Sequence, residues 1–377
     1  MTDLVYRPFG AFRLGLAILV VQQHFLANLA PEGLSAAAQP YEVGSLAVLV
    51  FFALSGFVIC EAADRVYAGR PGAFLANRLL RIVPLFVAAT LATIAVCWLF
   101  AVLGTLRLDR AGEGLPEHAF AARNLAVNLL GFVPFSNVAM SFKFVSIAWA
   151  VRLEMLFYAA MAGALALAWL GMRLGRERWT LARTSLAVAL ATAPLFGLAM
   201  LRRAPETFTL APYFWFGGAL YFALGTRSRV AGAAVALSLA AIVWEFTARA
   251  PHHPGLGFER AAGIQVGMLL AMLAAIAILA RCRLAGLLAP LRRIDRALGD
   301  LTYALYLSHL AVMVLVLSAT SGFTLTGYLT GLALSLPVAV GLHALIEPAV
   351  SRARDAIRGG RLPRVPGREP RRALQPS

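Results

Sequence analysis

The sequence predicts an all-α polytopic membrane protein of about ten transmembrane helices with both termini cytoplasmic, and three observations carry that prediction. Of 377 residues, 60% are hydrophobic and only 14% charged, with a mean hydropathy of +0.76; so few charges cannot cover the surface of a soluble chain of this length. Ten apolar stretches approach the roughly 20 residues of helix that a hydrocarbon core about 30 Å thick requires. Arginines gather between alternate stretches, the pattern left by retention of basic residues on the cytoplasmic side. The first observation excludes soluble enzymes. The third excludes a nucleic-acid partner: only Lys143 among the 34 basic residues is a lysine, and the net charge of +16 reports bilayer orientation rather than a binding face. The expected environment is therefore a lipid bilayer.

The spans are expected near 11–30, 43–62, 82–104, 144–171, 181–201, 209–225, 229–249, 261–281, 298–319 and 323–348. A further apolar stretch, 119–135, is shorter and carries Arg123, Asn124, Asn128 and Pro134, which places it at the interface or makes it re-entrant. The first run follows Arg7 and Arg13 without a small-residue cleavage site, so it is expected to stay attached. With the N-terminus inside, the opposite loops keep only Arg107, Arg110, Arg123, Lys143, Arg202, Arg203, Arg249 and Arg260, Arg152 lies within a span, and the remaining basic residues flank spans on the cytoplasmic side. Cys60, Cys97 and Cys282 have no metal or redox spacing and read as packing residues; no metal is predicted. Residues 1–350 read as one membrane domain, and 351–377, rich in Arg and Pro, as a basic, disordered cytoplasmic tail resting on anionic lipid. No internal repeat is visible, which counts against transporters built from two related halves.

Ionisable side chains at membrane depth cost several kcal/mol unless paired or hydrated, so they are functional candidates. Arg13 and His24 lie eleven residues apart on span one, a rotation about 20° past three turns, which puts them on one face about 16 Å apart. Arg13 then sits at the cytoplasmic boundary and His24 past the midplane; the plainer reading of His24 is a histidine satisfied by a neighbouring helix. Glu154, in a span that descends from outside, is expected at a comparable depth, where a carboxylate can orient an imidazole and raise its basicity, or simply tie two helices together. Arg78 and Arg81 share a face at the cytoplasmic mouth of span three and form a candidate phosphate grip, although most such arginines only anchor topology. Tyr303, Tyr306 and His309 form one polar stripe on an otherwise apolar helix, and Glu347 closes the last span near the Arg78–Arg81 mouth, where it can balance an arginine.

In chain order these segments resemble the acyltransferase-3 family of integral membrane acyltransferases. Arg13 and His24 reproduce its R-x(10)-H element, and FFALSGF at 51–57 resembles F-F-x-L-S-G-F. RLLRIVP at 78–84 resembles R-x-x-R-I-x-P, and WAVRLEMLFY at 149–158 resembles W-S-L-x-x-E-x-x-F-Y, which brings Trp149 into the site. LTYALYLSHL at 301–310 resembles S-Y-x-L-Y-L-x-H, and IEP at 346–348 the terminal E-P element. The departures are Ala150 and Arg152 after Trp149 and Ser308 before His309; they bear on the acceptor pocket more than on the reaction.

The resemblance implies a stand-alone membrane acyltransferase domain over 1–350, in a bacterial inner membrane, without the extra outer domain of some relatives. It implies transfer of an acyl group, most often acetyl, from cytoplasmic acyl-CoA to a hydroxyl of a carbohydrate or glycoconjugate. In that scheme His24 takes the proton of a hydroxyl that cannot attack a thioester unaided. Glu154 holds or polarises His24, Arg13 stabilises charge near the donor, and Arg78 and Arg81 receive the CoA phosphates. Trp149, Tyr303, Tyr306, His309 and Glu347 are further pocket candidates. Direct transfer and a relay through acylated His24 both fit these residues. Relatives modify O-antigens, exopolysaccharides, peptidoglycan and lipid-linked or small glycosides, and the outer loops do not select among them. The rival from another class is a transporter or flippase of a lipid-linked sugar or small anion, which also places His and Glu at mid-depth but leaves the arginine pair unexplained. A scaffold without chemistry leaves all of them unexplained.

Overall fold

The computed structural model describes residues 7–110, 115–176, 179–249, 258–282, 289–320 and 323–359. They contain twelve α-helices and, among the described residues, no strand. The helices are α1 (Phe9–Asn28), α2 (Glu32–Ala38), α3 (Val43–Arg65), α4 (Pro71–Val102), α5 (Ala122–Leu129), α6 (Ala148–Arg173), α7 (Leu181–Met200), α8 (Ala211–Thr226), α9 (Arg229–Arg249), α10 (Phe258–Arg281), α11 (Ala289–Ala319) and α12 (Leu325–Gly359). Nine of these are long and apolar enough to cross a membrane. The tenth expected span, 209–225, is α8, whose 16 residues rise about 24 Å, short of a full hydrocarbon thickness.

Three helices outrun their expected spans at the same end of the molecule. Helix α4 starts at Pro71 rather than near 82, α11 at Ala289 rather than near 298, and α12 continues to Gly359. At about 1.5 Å per residue they reach roughly 46–53 Å, well beyond the bilayer core. Their shared end is fixed by side chains that satisfy backbone groups. The Asp295 carboxylate of α11 accepts the Gly10 and Ala11 amides at 3.0 and 2.8 Å, capping the start of α1. Asn77 of α4 donates to the Arg354 carbonyl at 3.3 Å, and Arg70 donates to the Ile357 and Arg358 carbonyls, closing the last turn of α12. Of the stretch expected as tail, residues 351–359 continue α12 as helix beside α4, while 360–377 lie outside the described residues.

Helix α11 is the axle of the bundle. In its most apolar window 83% of residues are buried, against 17% in α7, α9 and α12, which turn exposed faces outward. Helices α1, α4 and α12 pack around it, and α3 lies behind α1. Helices α3 and α8 run parallel at close range because Gly56 faces the Phe214 backbone and Gly217 faces that of Ala53 and Phe57; a Cβ at either position would enter the opposing helix. Tyr221 then reaches Asp64 at 2.7 Å.

The stretch 119–135 is no span. Helix α5 has 8 residues, and its two buried asparagines explain its polarity. Asn124 accepts the Ser141 and Phe142 amides at 3.0 and 3.3 Å, and Asn128 accepts the Phe144 amide at 3.0 Å, so α5 splints the loop that leads into α6. Cys60 and Cys97 are buried and unpaired as expected of packing residues, and Cys282 is free and half-buried.

Candidate functional site

Two cavities meet inside the bundle. The smaller, about 90 Å³, lies toward the end where α4 and α11 begin, and it collects Arg13, Arg78, Arg81, Glu154, Tyr158 and Tyr303. The larger, about 580 Å³, lies toward the opposite end, bounded by the start of α3, the segments 134–137 and 206–210, and the end of α9. His24, Trp149, Arg152, Glu42, Glu245 and Gln265 line it. Val48 and Tyr306 line both cavities, so the two adjoin at these side chains.

Helical spacing accounts for the smaller cavity. Arg78 and Arg81, three residues apart on α4, face it together. Arg78 is 8% exposed and lies 5.6 Å from the Phe74 ring and 5.8 Å from the Tyr158 ring, while its Nε has no hydrogen-bond partner among the described residues. Aromatic faces hold a guanidinium without consuming its N–H donors. Glu154 accepts the Tyr158 hydroxyl at 2.6 Å and the Ser55 hydroxyl at 3.3 Å, and it stands within Coulombic reach of Arg13 and Arg78. Tyr158 follows Glu154 by one helical turn, a spacing that makes the pair readable from sequence once Glu154 is suspected.

His24 is set differently. Its ring stands 5.1 Å from that of His309, tilted by 40°. The sequence reading places Glu154 beside His24; in the structure the neighbouring titratable ring is His309, and Glu154 makes its hydrogen bonds to Ser55 and Tyr158 in the other cavity. His309 is fully buried, its Nδ1 is 2.7 Å from the Tyr306 carbonyl, and its Nε2 has no partner among the described residues. Tyr306 donates to the Ile147 carbonyl at 3.2 Å, which fixes the side chain between the cavities, and the Tyr303 hydroxyl and the Ser308 hydroxyl are buried without partners among the described residues. The stripe expected on α11 is thus turned inward, and buried polar atoms without partners are rare in folded proteins.

Trp149 is 42% exposed, meets Phe52 edge-on at 5.9 Å and presents the rest of its indole to the larger cavity. Arg152 also faces that cavity and donates to the Gly131 carbonyl at 3.0 Å. Glu347 pairs with an arginine of its own helix, Arg354, at 3.0 Å. Sequence reasoning missed Tyr158, Asn77 and Arg354, the last because it lies in a segment read as tail. Among the described residues no three His, Cys, Asp or Glu side chains converge as an ion site.

The acyltransferase-3 family, described as an acyltransferase domain, matches residues 9–344 of the chain. No curated protein and no solved structure matches it.

Proposed function

The chain belongs to the acyltransferase-3 family, and from that premise we propose that it transfers an acyl group, most simply acetyl, from cytoplasmic acyl-CoA to a hydroxyl of a carbohydrate or glycoconjugate. The observation that carries this reading is the pair of unlike cavities that share Val48 and Tyr306. One gathers three guanidiniums at the end where basic residues accumulate, suited to the phosphates of CoA. The other is roomy and edged by Trp149, carboxylates and amides, suited to a polyhydroxylated acceptor.

In the proposed reaction the donor enters from the cytoplasm with its phosphates at Arg78 and Arg81, and the thioester end passes Tyr306 toward His24. His24 takes the acceptor hydroxyl proton as oxygen attacks the thioester carbonyl; the C–O bond forms, the C–S bond breaks, and the proton leaves on the CoA sulfur. His309, packed against His24, holds that ring in register, and Glu154 serves the donor side by offsetting the arginine cluster. A relay variant puts the acyl group on His24 first, with water excluded by the same packing. Incubation with acyl-CoA alone distinguishes the two: the relay gives an acyl mass increment on the peptide containing His24.

The proposed topology puts both termini in the cytoplasm. It is supported by the capping of the α1 start by α11 and of the α12 end by α4, which sets these ends on one face, and by the arginines of that face. The parallel run of α3 and α8 supports α8 as a tenth crossing. A bacterial inner membrane fits the acceptor class proposed.

The test is mass spectrometry of envelope and secreted glycans from cells fed isotopically labelled acetate and expressing the intact chain or His24→Ala. A labelled acyl increment confined to the intact chain is expected. Movement of an unmodified lipid-linked sugar, with no acyl increment, would instead favour a transporter or flippase.

A further inference from the structure

We propose that Arg354 is a third phosphate-binding side chain of the donor site, so that the overhang of α12 beyond the family-matched residues completes the grip begun by Arg78 and Arg81. This rests on the acyl-CoA reading of the arginine cavity and extends it to a residue outside residues 9–344.

Four observations converge on Arg354. First, the last turns of α12 are clamped to the start of α4: Asn77 holds the Arg354 carbonyl and Arg70 holds those of Ile357 and Arg358. Asn77 immediately precedes Arg78, so the clamp fixes Arg354 at the mouth that Arg78 and Arg81 occupy. Second, the Arg354 side chain is only 11% exposed, although it lies in the overhang that projects past the bilayer core. Third, Glu347 engages only its Nη1, and its Nε is buried with no hydrogen-bond partner among the described residues. Fourth, it stands within Coulombic reach of Arg81 and Arg358, so the clamp holds like charges near one another, offset in part by Glu347 and Asp300.

A guanidinium presents five N–H donors in a planar fork that matches a phosphate. An arginine needed only to pair with Glu347 could do so from solvent, without a clamp that desolvates it next to other cations. A dianionic phosphate arriving at this mouth would use the unengaged donors and relieve the repulsion. Acyl-CoA carries a diphosphate and a 3′-phosphate at one end and the thioester far from them at the other. Arg78 and Arg81 face the cavity that leads to Tyr306, whereas Arg354 lies outward on the overhang, which assigns it to the nucleotide end.

The experiment uses the full chain in lipid nanodiscs of zwitterionic and of anionic lipid, with CoA and 3′-dephospho-CoA as binding probes. Arg354→Ala is expected to weaken CoA binding about ten- to a hundredfold, the loss of charge-assisted hydrogen bonds to one phosphate. The effect should fall on the donor KM, with Arg354→Lys intermediate and the acceptor KM unchanged. Glu347→Gln, which removes the competing carboxylate, should tighten CoA binding. CoA affinity unchanged in Arg354→Ala and in Arg354→Lys overturns the inference and leaves an ion pair to Glu347. A loss seen only in anionic lipid overturns it in favour of a lipid headgroup phosphate. Absence of CoA binding by the unaltered chain would be failure of the donor reading itself, and is thereby distinguished from failure at Arg354.

Discussion

The two cavities share a wall yet are built by opposite rules. The smaller is tight: Arg78 lies against the Phe74 and Tyr158 rings, Glu154 stands within Coulombic reach of Arg13 and Arg78, and Asn77 ties the start of α4 to α12. The larger draws its lining from helix ends and from short segments such as 134–137 and 206–210. A donor common to many reactions calls for fixed geometry, since phosphate recognition depends on bidentate alignment. On the proposed reading, the acceptor side calls for a lining that can change without disturbing the bundle, and loops supply that. The departures from the family pattern divide: Ala150 lines the smaller cavity, Arg152 lines the larger, and Ser308 lies on the α11 axle, while Arg13, His24, Arg78, Arg81 and Glu154 are all retained.

The comparison breaks most decisively at the residue where the two ligands would meet. His24→Ala is expected to lower acyl transfer by about 10²- to 10⁴-fold, the range of a lost general base, with nanodisc-inserted protein recovered in normal yield; transfer assays with labelled acyl-CoA read it. Arg81→Ala should raise the donor KM about ten- to a hundredfold and leave the acceptor KM in place, measured by varying each substrate against the other. A change in both would mean that the cavities are not separate sites. Trp149→Ala should do the converse more mildly, raising the acceptor KM about three- to tenfold as roughly 0.5–1.5 kcal/mol of ring contact is lost, with donor kinetics unchanged. At the foot of the scale, Leu237→Ala on α9, 72% exposed and remote from both cavities, should change neither KM and shift stability by no more than about 0.5 kcal/mol.

Much of this was legible in the residues. Membrane class, the approximate spans and the inward stripe Tyr303–Tyr306–His309 follow from hydropathy and helical period, because a bilayer imposes length and a helix imposes spacing. The Arg78–Arg81 pair follows for the same reason. What spacing leaves open is which helix answers which. Glu154 and His24 stand at comparable depth in the sequence reading, and depth alone made them partners, but rotation of α6 about its axis turns Glu154 to Ser55 and Tyr158 while α11 brings His309 to His24. Composition likewise made residues 351–359 a tail: Arg352, Arg354 and Arg358 give no apolar face to read, and the helix there is held by Asn77 and Arg70 from a segment more than 270 residues away in sequence.

The sequence by itself therefore determined that this chain lies in a membrane, roughly where it crosses, and which polar side chains share a helical face, since those properties are set by local composition and periodicity against a solvent of fixed thickness. Only the tertiary structure decided the partition of those side chains into two cavities joined at Val48 and Tyr306, the His24–His309 pairing and the docking of the Arg354 turn on α4. Each of these depends on the rotation and depth of helices distant in sequence, quantities fixed by close backbone approach at Gly56 and Gly217 and by long-range caps such as Asp295 on α1.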